Sequence, residues 1–596
     1  MHVLNSGHRN LDDGSHIIHP HHYAKLEMLR SDKPFIPAHK NFRVIAIAAP
    51  SPPYPGYPID PPFRSRFQAR FCDPVGSLVA LNRIFSEKQS SSSPPILQKV
   101  RDIILSTQYA SESRDSLETV SKSLLPAFPQ TALVKLNGLV ALFPPPVRLS
   151  PGQLARLFLT LHPGLVHTPF QAWAMLNRQT EESGIGELGS LSMIDADENI
   201  GLFGYRVIRV ERENESKARV FFDGPTGTSL VAITVPAGPR EFRPFPFTGK
   251  LKFRPTQRFM GLLTCFLQAH ALGWDISLTP PALLSTASSS TSTLVKVFGE
   301  ILGYETESVH MYKELGGREL IMRRRVEDSG ATTWEPRSVV VLTITIPVSD
   351  LMCLRSPLVE AAWTGRLLHL AGLDVIGATA GSLARLVQDR EVELWEGKRI
   401  VSAASAEEVT LNTMDIHNLL TVIQISSGEL SVAHPSFRII STASKSLPLK
   451  DWLNDEHANM FFPIPSQPMD AAEEAAILLE TGCSPTIIKT LLSFAEKYRQ
   501  SLSADTVQKN RKLGTRSLVR IATRLAKFPQ DNDLNRMISR SLLAEFLPAI
   551  ERMNLDTLLQ EAGMTRRSAW VCSVSHVMLR NMLPSSIRIR SLIHHP

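Results

Sequence analysis

The chain of 596 residues has its few cysteines too far apart to build a disulfide framework or a zinc site. Cys72, Cys265, Cys353, Cys483 and Cys572 stand singly, with no CxxC pair. Reduced thiols of this kind fit a cytosolic or mitochondrial-matrix setting. Long apolar runs are also missing. The strongest, residues 339–354, is broken by Pro347 and Asp350, so no membrane span is expected. The first ten residues, MHVLNSGHRN, hold neither a signal-peptide apolar core nor an Arg/Ser-rich amphipathic leader. HExxH and GxSxG patterns are absent too, which removes the zinc-protease and serine-hydrolase classes. Acid is scarce in the last segment, where Arg566, Arg567, Arg580, Arg588 and Arg590 face almost none. The net charge of +7 is modest for this length. The basic end is therefore read as solvated, and nucleic acid is not an expected partner.

With 43% hydrophobic and 20% charged residues, the chain is globular and long enough for several domains. Leu11-Asp12-Asp13-Gly14 is a hairpin-type turn. Residues 42–47 (FRVIAI) read as a buried strand that empties into a Pro-dense loop ending at Arg64-Ser65-Arg66-Phe67. From 75 to 173 the pattern is helical, punctuated by SSSSPP at 90–95 and by the prolines near 143–146. Residues 205–210, 220–222 and 229–235 are β-prone, with turn residues between them. A second α/β unit begins with a strand at 282–284 and a small-polar loop at 285–293. An amphipathic helix follows, from Leu294 to its stop at Gly303. Further strands are expected at 305–310, 367–370 and 437–441, and a helix at 378–388. Asp470 and Glu473 form a capping box that opens a helical last third, with strong periodicity at 491–498, 518–525 and 542–553. The organisation expected is a half-core at 1–70, a helical lid at 71–185 and a β-rich linker at 186–260. A second core at 261–465, a second lid at 466–560 and a basic tail at 561–596 complete it.

The loop at 285–293 stands where a phosphate-binding loop belongs. Such a loop needs GxxxxGK[ST]: glycines to curl backbone N–H groups around phosphates, a lysine for their charge and a hydroxyl for Mg²⁺. Here Ser285 and Ser290 replace the glycines, Thr291 replaces the lysine, and Ser292 keeps the hydroxyl. The loss of the point charge and the Cβ atoms at glycine positions both weaken a phosphate cradle. The strand at 367–370 would end in a Mg²⁺-ligating aspartate, but Ala371 stands there, with Asp374 three residues on. Arg516 opens a lid helix, from which an arginine can reach a γ-phosphate. His16, His19, His21 and His22 cluster near the start, without the spacing of a structural metal site, and read as an exposed loop.

The stretches NFRVIAIAAP and PGYPIDPPFRSRFQAR resemble the dynein-related, MoxR/midasin-like branch of AAA+ ATPases. So do ITVPAG from Ile233, GYETESVHMYKELGGREL from Gly303, SPLVEAA from Ser356, LARLVQDREVELWEGKRI from Leu383, HPSFRII from His434 and GTRSLVRIATRL from Gly514. The resemblance spans most of residues 8–560. It implies an α/β fold of tandem AAA+ modules: a partial first core with a helical lid, a β-rich linker module, and a second P-loop-like core with its own lid. It also implies ATP binding and hydrolysis with Mg²⁺, a remodelling or assembly role, a mitochondrial setting, and other AAA+ modules or subunits as partners. By the same resemblance Arg66 is the arginine finger and Arg64 its companion, since a permanent planar charge suits a transferring phosphoryl group. Arg516 is the sensor-2 arginine. Ser285, Ser290, Thr291 and Ser292 form the degenerate phosphate loop, and Ser292 is a weak Mg²⁺ ligand. The departures are a strand ending at Ala48 without a polar sensor residue, the eroded Walker motifs, and residues 337–354 interrupting a familiar segment. The chain is thus expected to donate a finger and a lid to a neighbour while hydrolysing little ATP alone. The alternative is a non-catalytic scaffold or a truncated copy.

Overall fold

The structure is a computed structural model. It describes residues 95–112, 127–189, 200–225, 230–248, 253–279, 291–313, 356–394, 399–402, 430–443, 455–466, 469–503, 513–529 and 533–564, with short stretches elsewhere. The chain forms two compact units, residues 1–77 and 78–596. In the first, β1 (Arg9–Asn10) pairs antiparallel with β2 (His16–Ile18), which pairs parallel with β3 (Phe35–Pro37). Residues 42–48 are not the buried strand expected from their composition. They run as irregular chain with Phe42, Val44, Ile45 and Ile47 exposed by 54%, 43%, 90% and 98%. β-Propensity reports fit to a half-buried sheet surface, and here no sheet covers the run. Arg64 and Arg66, expected as finger arginines, lie outside the described residues.

The second unit opens with helices α1 (Pro95–Glu112), α2 (Ala132–Leu142), α3 (Pro151–Leu161) and α4 (Phe170–Glu182). α3 starts where Ser150 accepts from the Gln153 amide while Gln153 reaches back to the Ser150 amide, with Pro151 inside the first turn. An antiparallel sheet follows: β4 (Arg206–Arg212), β5 (Lys217–Asp223) and β6 (Val231–Pro236), with β5 central.

α5 (Gln257–Ala271) leads into a five-stranded sheet that is parallel throughout. Its strands are β7 (Ile276–Thr279), β8 (Thr306–His310), β11 (Leu367–Ala371), β15 (Arg438–Thr442) and β16 (Phe462–Pro465), in the spatial order β16-β7-β15-β11-β8. Between them lie α6 (Thr291–Ile301), α7 (Pro357–Thr364), α8 (Ala384–Gln388) and α9 (Asp455–Met460). A hairpin of β9 (Met322–Val326) and β10 (Thr332–Pro336), and a small sheet of β12 (Val392–Glu393), β13 (Arg399–Val401) and β14 (Leu430–Val432), complete the unit's strands. The first core strand is thus Ile276–Thr279. The strand expected at 282–284 lies outside the described residues, as does the insert at 337–354.

Both faces of the parallel sheet are covered, as parallel sheets require. Leu367 and Ile440 pack into one apolar cluster with α5, α6 and the N-terminal helices, while Leu368, Leu370 and Ile439 pack into another on the opposite face. A third cluster lies within the last helices: α10 (Ala471–Leu479), α11 (Pro485–Ser503), α12 (Thr515–Lys527), α13 (Leu534–Ser541) and α14 (Ala549–Glu561). In α12 the buried positions Leu518, Ile521, Ala522 and Leu525 follow the helical period.

Two stretches that carried the family resemblance meet at the end of α6. The amides of Gly238, Arg240 and Arg243 donate to the carbonyls of Leu302, Gly303 and Glu300 at 2.9, 2.9 and 2.8 Å. A methyl group at Gly238 would overlap the Gly303 carbonyl and the Tyr304 backbone. Gly238→Ala is therefore expected to lower unfolding stability by about 1–3 kcal/mol through overpacking, measured as a shift of the urea midpoint at unchanged slope.

Candidate functional site

The carboxyl edge of the parallel sheet is where α/β folds bind ligands, in the crevice at which strand order reverses. Here that crevice lies beside β7, whose neighbours β15 and β16 follow it by more than 150 residues of chain in order β16-β7-β15. α6 follows β7, so its free N–H groups and positive dipole end belong to the same edge. Thr291 and Ser292 open α6, and Ser292 is exposed. Ser285 and Ser290 lie outside the described residues.

The structure brings two of the sequence candidates together across 224 residues. Arg516 Nη2 donates to Ser292 Oγ at 3.4 Å. α12 carries Arg516 in its first turn, next to the buried Thr515. A guanidinium thus stands at the start of α6, brought there by α12.

The sheet also holds a polar row across β8, β11 and β15 that the sequence does not announce. His369 on β11 contacts Thr442 Oγ1 of β15 through Nε2 at 2.9 Å, and Ser308 Oγ of β8 through Nδ1 at 3.3 Å. Ser308 and His369 are the middle residues of their strands and Thr442 the last of its own, positions that carry no local signal of their meeting. Burial, with His310 nearby, pushes His369 down to about 4.

The metal half of the expected site does not fit. Ala371 ends β11 where a carboxylate would bind Mg²⁺, and its carbonyl accepts from the Met311 amide at 2.9 Å. Asp374, the nearest alternative, is fully buried in the first turn of the 3₁₀ helix Leu373–Leu383. Ser292 Oγ faces a guanidinium, which would repel a cation. Magnesium wants several oxygen ligands, at least one of them a carboxylate. Among the described residues no group of three or more His, Cys, Asp or Glu is placed to hold a metal. Of the histidine cluster, His16 lies in β2, and His19, His21 and His22 fall outside the described residues.

The capping box at Asp470 is half made. Asp470 accepts from the Glu473 amide at 2.6 Å, but the Glu473 carboxylate turns to Arg258 instead, accepting from Nε at 2.8 Å. The helix expected at 378–388 is divided, with Gly377 at φ 51° inside the 3₁₀ turn and α8 starting at Ala384.

These features define an α/β protein with a five-stranded parallel sheet, in which an arginine of α12 meets the N-terminus of α6. No family model matches the chain. It is similar to von Willebrand factor A domain-containing protein 8 of Mus musculus, 28% identical over 575 residues, which cover 94% of this chain and 27% of that protein. The chain spans about a quarter of the length of the curated relative it matches. The resemblance carried by the quoted motifs thus extends along nearly the whole chain. Among the described residues no helix is long and apolar enough to cross a membrane.

Buried His369, His270 and His457 fix the sign of the acid response. Burial holds His270 and His457 down to about 3 each. Below the ordinary value of 6.5 the unfolded chain takes up protons that the folded chain refuses, so stability falls as pH drops from 6.5 toward 4. His369→Gln is expected to make thermal midpoints less pH-dependent across that window, with little change in slope above pH 7.

Proposed function

We propose that residues 261–560 form a degenerate nucleotide-binding module of the dynein-related AAA+ kind, which takes up a nucleotide polyphosphate weakly and without Mg²⁺. The observation that carries this reading is the Arg516–Ser292 contact at the mouth of α6. An anion placed there would meet backbone N–H groups of α6 and a guanidinium able to bind two phosphate oxygens at once. When bound, a nucleoside triphosphate would supply a transferable phosphoryl group, yet among the described residues no cluster of His, Cys, Asp or Glu is placed to hold a metal against it. Binding followed by little or no hydrolysis is the outcome of that donor set.

In the same reading, Arg66 and Arg64 serve as a finger toward the nucleotide of another AAA+ module or subunit. The domain scheme of half-core, lid, linker, core and lid, and the mitochondrial setting, belong to this proposal too. A second reading, a scaffold that keeps the shape for assembly alone, is favoured by Ala371 and by the burial of Asp374.

Titration of the full chain with a fluorescent ATP analogue separates the two. A dissociation constant near about 1 mM, or about −4 kcal/mol, is expected, unchanged by EDTA and weakened by Arg516→Ala. A micromolar constant that requires Mg²⁺ sinks the degenerate-site reading, and no binding leaves the scaffold. The finger is tested by mixing this chain with an AAA+ module that has an intact site. Stimulated hydrolysis is expected to drop by about 10³-fold with Arg66→Ala, the scale of a lost arginine finger; unchanged hydrolysis removes the donor role.

A further inference from the structure

Glu473 and Glu474 are adjacent in α10 and bind different partners. Glu473 grips the core. It accepts from Arg258 Nε at 2.8 Å and from the Thr256 hydroxyl, both at the start of α5, and the ion pair is almost fully shielded, with side chains 9% and 11% exposed. Arg254 reinforces this side through Glu480 at 3.0 Å, at an exposed position where such a pair contributes little.

Glu474 grips the lid. Arg499 of α11 donates to both of its oxygens at 2.8 Å, and Thr515 donates to Oε1 at 2.6 Å. Arg499 also donates to the Leu513 carbonyl from Nε at 3.1 Å and Nη2 at 3.0 Å. The Glu474 side chain is 3% exposed. The carboxylate and the guanidinium hold each other through two bonds, and removing either partner would strand a charge. What they hold is the chain at 513–515, which is the start of α12 and the base on which Arg516 stands.

We infer that Glu473 and Glu474 are positioning residues: one turn of α10 sets the lid on the core so that Arg516 meets Ser292. Hydrophobic packing could hold α10, α11 and α12 together but is non-directional and would not fix their angle to α6. The inference rests on the nucleotide-site reading only for its consequence, that an anion at α6 finds its arginine already in place.

The test is made in the full chain, with Ser292→Cys and Arg516→Cys introduced together. An arginine spans the gap in the native chain, so a disulfide would not reach, and a short bismaleimide is used instead. Formation of the 292–516 link is followed by peptide mapping, which separates it from links through the native cysteines. Adding Glu473→Gln or Glu474→Gln is expected to slow that link by about tenfold, the scale of coupling lost from a shared network, while far-UV circular dichroism stays native. A link rate within about twofold of the parent, in variants that remain folded, overturns the inference. A merely structural role would lower the melting temperature and leave the rate alone. Should Glu474→Gln unfold the lid, Glu473→Gln and Arg258→Gln decide, because they cut only the core-side grip. Failure of the unmodified chain to bind the ATP analogue would sink the nucleotide reading and leave the cross-linking result standing.

Discussion

Asp275 is the group on which the parallel sheet depends. It sits just before β7 and is almost fully buried. Its Oδ1 accepts from Arg390 Nη2 at 2.9 Å and from the Ile439 amide at 2.9 Å, while its carbonyl accepts from the Phe462 amide at 2.7 Å. One residue therefore ties the starts of β7, β15 and β16 to the segment after α8. Arg390 takes a left-handed conformation, φ 57°, to reach it, and stacks over Phe437 at 5.4 Å. Removing either partner would strand a buried charge, at about 3–5 kcal/mol. The same carboxylate thereby seats β15 beside β7 in the middle of the sheet.

Much of the fold was legible because its strands and helices have distinct periods. The readings at 305–310, 367–370 and 437–441 fall on β8, β11 and β15, and those at 205–210, 220–222 and 229–235 overlap β4, β5 and β6. β7 escaped because all four of its residues are buried, so it shows no alternation, and a better-looking run lay a few residues later. β16 escaped because Pro463 and Pro465 argue against a strand in any local reading. The run at 42–47 misled in the other direction, having the composition of a central strand without a covering sheet. At the site, Ser292 and Arg516 were legible as a motif residue and a helix opener. Their partners were not: Glu473 finds Arg258 across 215 residues, and Glu474 finds Thr515 across 41. Such pairings are tertiary and leave no local trace.

Ser292 stands on α6 and Arg516 on α12, two elements far apart in the chain, so their contact depends on the angle between those elements. A ligand that touched both would favour the arrangement that joins them.

The prolines that hid β16 also bear on how such chains associate. β16 lies at the margin of the sheet, paired with β7 on one side. Phe462 points its amide at β7, and by the two-residue period of a strand Ile464 points the same way. The outward-facing positions are Pro463 and Pro465, which have no N–H. All four residues of β16 are buried, with α3 packed against the strand, so this margin is covered by the chain itself and is not open to an added strand. Any contact another molecule made on that flank would meet the side chains of the covering helix and not a row of backbone donors.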